Sequence, residues 1–285
     1  MASPFVKFPG GKRAHVSLVI PYLPPTFRSY IEPFVGGGGM FFGLEAAGML
    51  CGVDIILSDY DADLIQLYEA VRDDPVQLRA GALEEAVFIA GYETRPQRKE
   101  AYNELRQLYN LGDRLPHYQL YLRAACYNGV FRMSKAGNMN MPPRDHLDRL
   151  PDSLVSTEAL SACAAALKPV DLLDWHFSQT ESDGSVFVGP GTVVYLDPPY
   201  DGAGGFREYT AEGFSTHDQI EVLQLAAEWT DRGARVIYSN AYTPWTRRAV
   251  KKYWPAATVT LIDATRVVSC KASTRGVVKE ILAHA

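Results

Sequence analysis

Tyr30-Ile31-Glu32-Pro33-Phe34-Val35-Gly36-Gly37-Gly38-Gly39-Met40 is the stretch on which the fold turns. It opens as a short strand, Tyr30 to Glu32, breaks into four glycines, and passes at once into a helix from Met40 to Ala47. Glycines between a strand and a helix remove the Cβ atoms that would keep a ligand off the backbone, and they permit positive φ. Downstream, Val53 to Leu57 is a second strand-like run that ends at Ser58 and Asp59, and Ala62 to Val71 resumes the helical period. Strand, glycine turn, helix, strand, acid, helix is the opening of a nucleotide-binding βαβ unit. Upstream, Arg13 to Leu23 has helical spacing and stops at Pro24 and Pro25.

From about Asp73 to Leu167 the pattern turns helical, with an irregular piece, Asn128 to Pro143, rich in Gly, Asn, Met and Pro. Strand signals return at Val170 to Trp175 and at Thr192 to Leu196, which runs into Asp197-Pro198-Pro199-Tyr200. A helix from about His217 to Arg232, capped by Ser215, follows, then a strand at Ala234 to Tyr238 and a helix near Trp245 to Tyr253. Strands near Thr258 to Ile262 and Val277 to Ala283 close the chain. The simplest architecture is one α/β sheet domain, 1–72 and 168–285, interrupted by a mostly helical insertion, 73–167.

With 285 residues, 47% hydrophobic and 21% charged, the chain has the balance of a globular protein with a sizeable core, which excludes disorder, collagen and coiled coil. Its net charge of −5 argues against a uniformly basic DNA-coating protein. The balance is uneven, however. Between Arg95 and Arg149 ten bases face five acids, a net of +5, which leaves −10 on the rest. A locally positive insertion on an acidic body suits a nucleic-acid-reading module, and equally suits a helical bundle with a solvated charged surface. Tyr102, Tyr109, Tyr118, Tyr121, Tyr127 and Phe131 in that stretch read, one by one, as core rather than as base-stacking residues. Cys51, Cys126, Cys163 and Cys270 share no CxxC spacing and read as reduced thiols of a cytosolic protein. No signal-peptide pattern opens the chain, and no window approaches eighteen apolar residues, so a soluble intracellular protein is expected.

The glycine turn is no phosphate loop: no GKS or GKT ends it, and Lys12 of Pro9-Gly10-Gly11-Lys12 is followed by Arg13. With Asp59 about twenty residues on, it suits an adenosine-containing ligand without saying which. Asp197-Pro198-Pro199-Tyr200 decides further. Following a buried-looking strand, it projects from the carboxyl end of the sheet, beside the cofactor crevice. Two prolines restrict the backbone, so the Asp197 carboxylate and the Pro198 carbonyl are two fixed acceptors for the two N–H groups of an exocyclic amine, with Tyr200 stacking on its heterocycle. Accepting both hydrogen bonds localises the nitrogen lone pair, and the carboxylate stabilises the charge that develops as the amine attacks a sulfonium methyl group. No metal is required.

With these residues in view, the chain resembles the Dam-type family of adenine-specific DNA methyltransferases, through nearly its whole length. The resemblance implies a Rossmann-like methyltransferase sheet with a mostly helical DNA-recognition insertion, S-adenosylmethionine as cofactor and double-stranded DNA as partner. Phe5-Val6-Lys7-Phe8-Pro9-Gly10-Gly11-Lys12 resembles the family's K-W-x-G-G-K segment, which implies that Phe8 and Lys12 line the cofactor site. The glycine turn resembles the cofactor loop E-P-F-x-G-S-G, which implies roles for Pro33, Phe34, Gly36 and Gly38, with Gly37 in place of serine. Ser58-Asp59-Tyr60-Asp61-Ala62-Asp63-Leu64-Ile65 is similar to N-D-x-N-x-x-L-I, so Asp59 is implied to bind the ribose, while Asp61 replaces an asparagine. Asp174-Trp175 looks like the acid-aromatic pair that contacts the cofactor adenine. Asp197, Pro198 and Tyr200 are implied to be catalytic, Asp197 also touching the cofactor.

Cys126-Tyr127-Asn128-Gly129-Val130-Phe131-Arg132 resembles the C-x-N-G-x-x-R stretch of the family's DNA-reading region, and Asn140-Met141-Pro142 matches the N-x-P that closes its hairpin. Asn128, Arg132, Lys135 and Asn140 are thereby implied to meet DNA, Arg132 being able to fork onto guanine. Ser239-Asn240 with Thr243-Pro244 resembles a late loop near the flipped base, since a stacked adenine cannot reach such a pocket. A monomer without metal or membrane attachment, in the cytoplasm of a prokaryote or of a viral host, is expected. The rival readings are an RNA amine methyltransferase, a catalytically inactive DNA-binding homologue and a nucleotide-dependent ATPase; the missing GKS/GKT opposes the last, and the intact Asp197 to Tyr200 opposes an inactive module.

Overall fold

The computed structural model describes residues 2–8, 10–134, 136–152, 154–182, 184, 186–200, 213–266 and 276–285. Among them, β1 (Ser29–Glu32), β2 (Asp54–Ser58), β3 (Val170–Leu173), β4 (Thr192–Leu196), β5 (Arg235–Ala241), β6 (Thr258–Arg266) and β7 (Gly276–His284) form one sheet, in the order β3-β2-β1-β4-β5-β7-β6. The first five strands run parallel, and β7 lies antiparallel between β5 and β6. β4 is buried at all five positions, which is why Val193 to Leu196 reads as an uninterrupted apolar run. The chain builds outward from β1 to β3 and then returns to place β4 on the other side of β1. That reversal opens a crevice at the carboxyl ends of β1 and β4, the place where open α/β sheets bind ligands.

The helices are α1 (Val16–Val19), α2 (Gly39–Ala46), α3 (Ala62–Asp73), α4 (Pro75–Ala90), α5 (Arg95–Leu111), α6 (Pro116–Ala125), α7 (Thr157–Leu167), α8 (Thr216–Asp231) and α9 (Pro244–Tyr253). Most start on a side chain that accepts the orphan N–H of the first turn: Asp61 for α3, Thr94 for α5, Ser156 for α7, Ser215 for α8 and Thr243 for α9. The helix expected over Arg13 to Leu23 is broken. Only α1 is α-helical, flanked by 3-10 turns at Arg13–His15 and Ile20–Tyr22, because Pro21 supplies no N–H and its ring crowds the preceding turn.

Two buried clusters cover the faces of the sheet. Tyr30, Leu57 and Tyr195 join Phe41, Tyr68, Tyr102, Leu122 and Leu160 on one side, and Ile31, Val194 and Tyr238 join Val222 and Trp229 of α8, Val250 of α9 and Trp254 just after it on the other. The helices of the insertion therefore share a core with α2, α3 and the sheet. From α6 the chain runs through a hairpin pinned by the bridges Cys126↔Pro143 and Met133↔Met139. Tyr102, Tyr109, Tyr121 and Phe131 are buried, as expected, and Tyr127 is exposed. No helix among the described residues is long and apolar enough to cross a membrane. Cys126 and Cys163 are buried thiols and Cys51 is exposed, whereas Cys270 lies outside the described residues.

Candidate active site

The glycine turn leaves β1 at Glu32 and enters α2 at Gly39. Gly36 and Gly38 adopt φ of 48° and 68°, the left-handed region that glycine enters without strain. Gly37, where the family pattern has serine, lies against Phe8: a Cβ there would stand 2.7 Å from Phe8 Cβ. The aromatic residue of the N-terminal segment and the bare turn are thus packed together. Glu32 is buried at the base, accepting from Tyr30 Oη at 2.8 Å, and burial pushes its carboxyl up to about 8.

Asp59, at the end of β2, ties the loops together. Its Oδ2 accepts from Gly36 N at 2.9 Å and its Oδ1 from Asp61 N at 3.1 Å. Burial, with the charge of Asp61 beside it, raises the carboxyl to about 6. Each oxygen keeps a second lone pair, so the ribose role expected of Asp59 is compatible with these bonds. Asp61 accepts from Leu64 N at 3.2 Å as the N-cap of α3 and lies 3.6 Å from Arg123 Nη2. That capping and pairing is what the acid in place of asparagine does.

Asp197 leaves β4 directly beside this turn, because β1 and β4 are neighbours. Its Oδ2 is 3.2 Å from Lys12 Nζ, which also donates to Gly10 O at 2.7 Å and sits 4.5 Å from the centre of the Tyr200 ring. Lys12 is 5% exposed. Burial pushes the Asp197 carboxyl up to about 6, and Lys12 opposes that rise. The carboxylate is therefore paired, but with a residue of the crevice itself. Among the described residues its Oδ1 is buried without a hydrogen-bond partner. An unsatisfied buried acceptor costs roughly 1–3 kcal/mol, so its presence at a crevice marks a place for a donor.

Tyr200 is anchored by its hydroxyl, 2.8 Å from Ser239 Oγ and donating to Glu280 Oε2 at 2.8 Å. Ser239 comes from β5 and Glu280 from β7, opposite Ala241, so the antiparallel insertion of β7 is what delivers this buried acid. His15 Nδ1 stands 3.8 Å from Glu280 Oε2, and burial lowers the His15 pKa. Asn240 points the other way, its Nδ2 donating to Gln219 Oε1 at 3.1 Å and to Tyr238 Oη at 2.6 Å. Glu280 and His15 escaped the reading of the sequence. The available signal was a lone acid between Val278 and Ile281 in an apolar strand.

Pro33 and Pro198 are buried beside the crevice. Phe34 packs into an aromatic cluster, its ring 5.3 Å from Phe177 and 5.9 Å from Phe214. Asp174 is exposed at the end of β3 and Trp175 is half-buried against the α8 side of the core. The pair thus lies at the same sheet edge, two strands from β1.

Asn128 is exposed, with φ of 56°. Arg132 Nε donates to Asn140 Oδ1 at 3.3 Å, so two residues expected to meet DNA are held together at the hairpin tip. Lys135 lies outside the described residues. Helix α5 braces the hairpin from behind: Asn110 donates to Met139 O at 3.0 Å and accepts from Met139 N at 2.7 Å, and Arg106 donates to Met141 O at 3.1 Å.

Part of the insertion's positive charge is neutralised from outside it, by Asp61 and Asp63. Arg114 pairs with Asp63 at 2.6 Å, Arg95 with Asp145 at 2.6 Å, and Arg98 and Arg144 donate to backbone carbonyls. Arg123 is buried over the Phe131 ring, 4.2 Å from its centre. The net of +5 thus overstates the basic surface, and Arg106, Arg114 and Asn110 are supports of the hairpin that spacing did not mark.

A family model for the D12 class N6 adenine-specific DNA methyltransferases matches residues 8–268. The chain is 26% identical over 291 residues to the Type II methyltransferase M1.LlaDCHI of Lactococcus lactis subsp. cremoris, spanning 98% of this chain and 94% of that protein. It is 28% identical over 289 residues to the Type II methyltransferase M.MjaIII of Methanocaldococcus jannaschii, spanning 95% and 94%. It is 27% identical over 286 residues to the DNA adenine methylase of Escherichia coli, spanning 98% and 94%.

Proposed function

The chain belongs to the D12 class of N6 adenine-specific DNA methyltransferases, and from that premise we propose how its residues divide the work. Residues 1–72 and 168–285 hold the cofactor and carry out the transfer, and residues 73–167 read duplex DNA. The enzyme is cytoplasmic and DNA-associated.

The crevice fits S-adenosylmethionine. Its glycines leave bare backbone under Phe8, where a Cβ at Gly37 would collide, and Asp59 stands at the end of the neighbouring strand with lone pairs to spare. Phe8, Lys12, Pro33, Phe34, Gly36, Gly38 and Asp59 line the site, with Asp174 and Trp175 at its far end. When bound, the cofactor supplies a sulfonium methyl group.

The chain then acts on the other partner. Asp197 Oδ1 and the Pro198 carbonyl accept the two N–H groups of an extruded adenine, which localises the lone pair on the amine nitrogen, and Tyr200 stacks on the ring. As positive charge develops on that nitrogen, the Asp197 carboxylate stabilises it. Lys12 favours the ionised form of Asp197 that can do so. At the hairpin, Arg132 and Asn140 read base edges while Asn128 and Lys135 approach the strand.

The observation that carries this reading is the buried Asp197 Oδ1 beside the glycine turn, unpartnered among the described residues. Labelled methyl transfer is measured on duplex DNA and, in parallel, on transcripts. Label in N6-methyladenine of DNA is expected; label in RNA alone would turn the reading to an RNA amine methyltransferase.

A further inference from the structure

Helix α9 leaves the sheet at the catalytic edge: β5 ends at Ala241, and α9 starts at Pro244. It carries Arg247, Arg248, Lys251 and Lys252, all exposed, and no acid. The lysines sit in its last turn, where a cation offsets the helix dipole. Arg247 and Arg248 are its fourth and fifth residues, mid-helix and without that benefit. Arg247 with Lys251, and Arg248 with Lys252, are also like-charge pairs at i,i+4, which cost stability. Among the described residues no carboxylate is in ion-pair distance of any of the four to offset this. Instead the arginines line a cavity of about 340 Å³ with Tyr242 and Pro244. Arg247 Nη1 donates to Tyr242 Oη at 3.2 Å, which orients the guanidinium along the cavity wall.

Two guanidinium groups beside a phenol, with no carboxylate paired to them among the described residues, make a receptor for a tetrahedral anion. The place narrows the choice. Ser239, two residues before Ala241, touches Tyr200 of the adenine pocket, so the cavity opens at the end of the same strand, on the side of the sheet away from the hairpin. We propose that Arg247, Arg248 and Tyr242 form a phosphodiester site that grips the backbone of the DNA strand next to the extruded adenine, opposite the grip of the hairpin. This rests on the methyltransferase reading above.

The test is equilibrium binding of a mixed-sequence duplex, followed by fluorescence anisotropy across a series of NaCl concentrations. Parent, R247Q/R248Q and K168Q are compared, the last removing an exposed charge just before β3, at the opposite edge of the sheet. Each phosphate contact contributes about 0.9 to the slope of log K against log salt, so the arginine variant is expected to lose about 1 to 2 from the slope and K168Q nothing. Thermal unfolding of each variant confirms the fold. A slope in R247Q/R248Q equal to that of a parent that binds DNA overturns the proposal and spares the methyltransferase reading; a parent that does not bind duplex DNA overturns both. Inorganic phosphate is titrated at fixed ionic strength as a further arm. Phosphate binding that depends on the arginines while the DNA slope does not would make the cavity a free-anion site and also overturn the proposal.

Discussion

Lys12 Nζ and Asp197 Oδ2 lie 3.2 Å apart across the crevice, joining the N-terminal segment to the loop after β4. Burial alone would hold Asp197 protonated to a higher pH, and the ammonium beside it pulls the value back to about 6. Because the amine needs an ionised acceptor, the rate of transfer should fall as pH drops through about 6. Removing the ammonium in K12M should move that acidic limb upward by about one to two units, the usual effect of one opposite charge at this range. Single-turnover rates across pH 5 to about 9 check it, with K12R expected to hold the limb near its parental place. An unmoved limb in K12M would show that another group sets it.

Asp197→Ala removes the acceptor and the charge together. Loss of one preorganised electrostatic partner costs about 10²–10³ in rate, so transfer should drop to the limit of detection while binding of duplex DNA stays within a few-fold. Asp197→Asn keeps the shape and loses the charge, and should retain only a trace of activity. Single-turnover rates equal to the parent's in either variant would remove Asp197 from the chemistry.

Glu280 holds Tyr200, accepting its hydroxyl at 2.8 Å beside the Ser239 contact, so the role proposed for Tyr200 makes Glu280 a positioning residue. E280Q keeps an acceptor and should leave the ring in place; E280L removes it and should lower kcat by about tenfold, with little change in KM for S-adenosylmethionine. Y200F loses the same bond from the other side. The double variant should therefore be no worse than either single one, a coupling of about 1 kcal/mol or more in a double-mutant cycle. Additive losses would break the link.

Glu32 makes stability depend on pH. Its carboxyl, raised from 4.5 to about 8 by burial, binds a proton in the folded chain that it releases in the unfolded one over that window. The folded state then binds more protons, so stability falls as pH rises, by about 1.4 kcal/mol per pH unit between pH 5 and pH 8. Asp59 and Asp197, both raised to about 6, add to the slope in its lower part. In E32Q, which cannot ionise and keeps an oxygen for Tyr30, denaturant unfolding should show a flatter slope and greater stability at pH 8 than the parent. Equal slopes would mean that Glu32 ionises freely in the fold.

Much of this fold was readable because local signals agree with global ones. The central strand β4 is apolar from Val193 to Leu196 and buried throughout, and the caps Asp61, Ser156 and Ser215 sit where the helices begin. The reading failed where a contact spans the sequence. Nothing near Glu280 announces that β7 will slide between β5 and β6 and carry it to Tyr200. Likewise the bases of the insertion count as surface charge until the fold shows Arg114 spent on Asp63 and Arg123 buried against Phe131. The helix around Pro21 failed for a local reason, an internal proline weighed too lightly against periodicity.

The hairpin gives the last test, because its reading side and its supporting side are separate residues. Arg132 donates from its Nε to Asn140, and the base-edge contact proposed for it would, if bidentate, discriminate by about 1–3 kcal/mol. Arg132→Ala should therefore flatten the preference among altered target sites by roughly ten- to hundredfold, with phosphate-driven binding to unrelated duplex reduced far less. Asn110→Ala leaves every residue of the hairpin in place and deletes the two bonds to Met139. With both backbone groups of Met139 unsupported, the amides of the hairpin should exchange faster with solvent, and discrimination should weaken in step, while S-adenosylmethionine binding is unchanged. Methylation rates on target and single-base-altered duplexes, read beside hydrogen exchange, decide the matter. Faster exchange with undiminished discrimination would mean that the hairpin is ordered by DNA itself and that α5 contributes nothing to its aim.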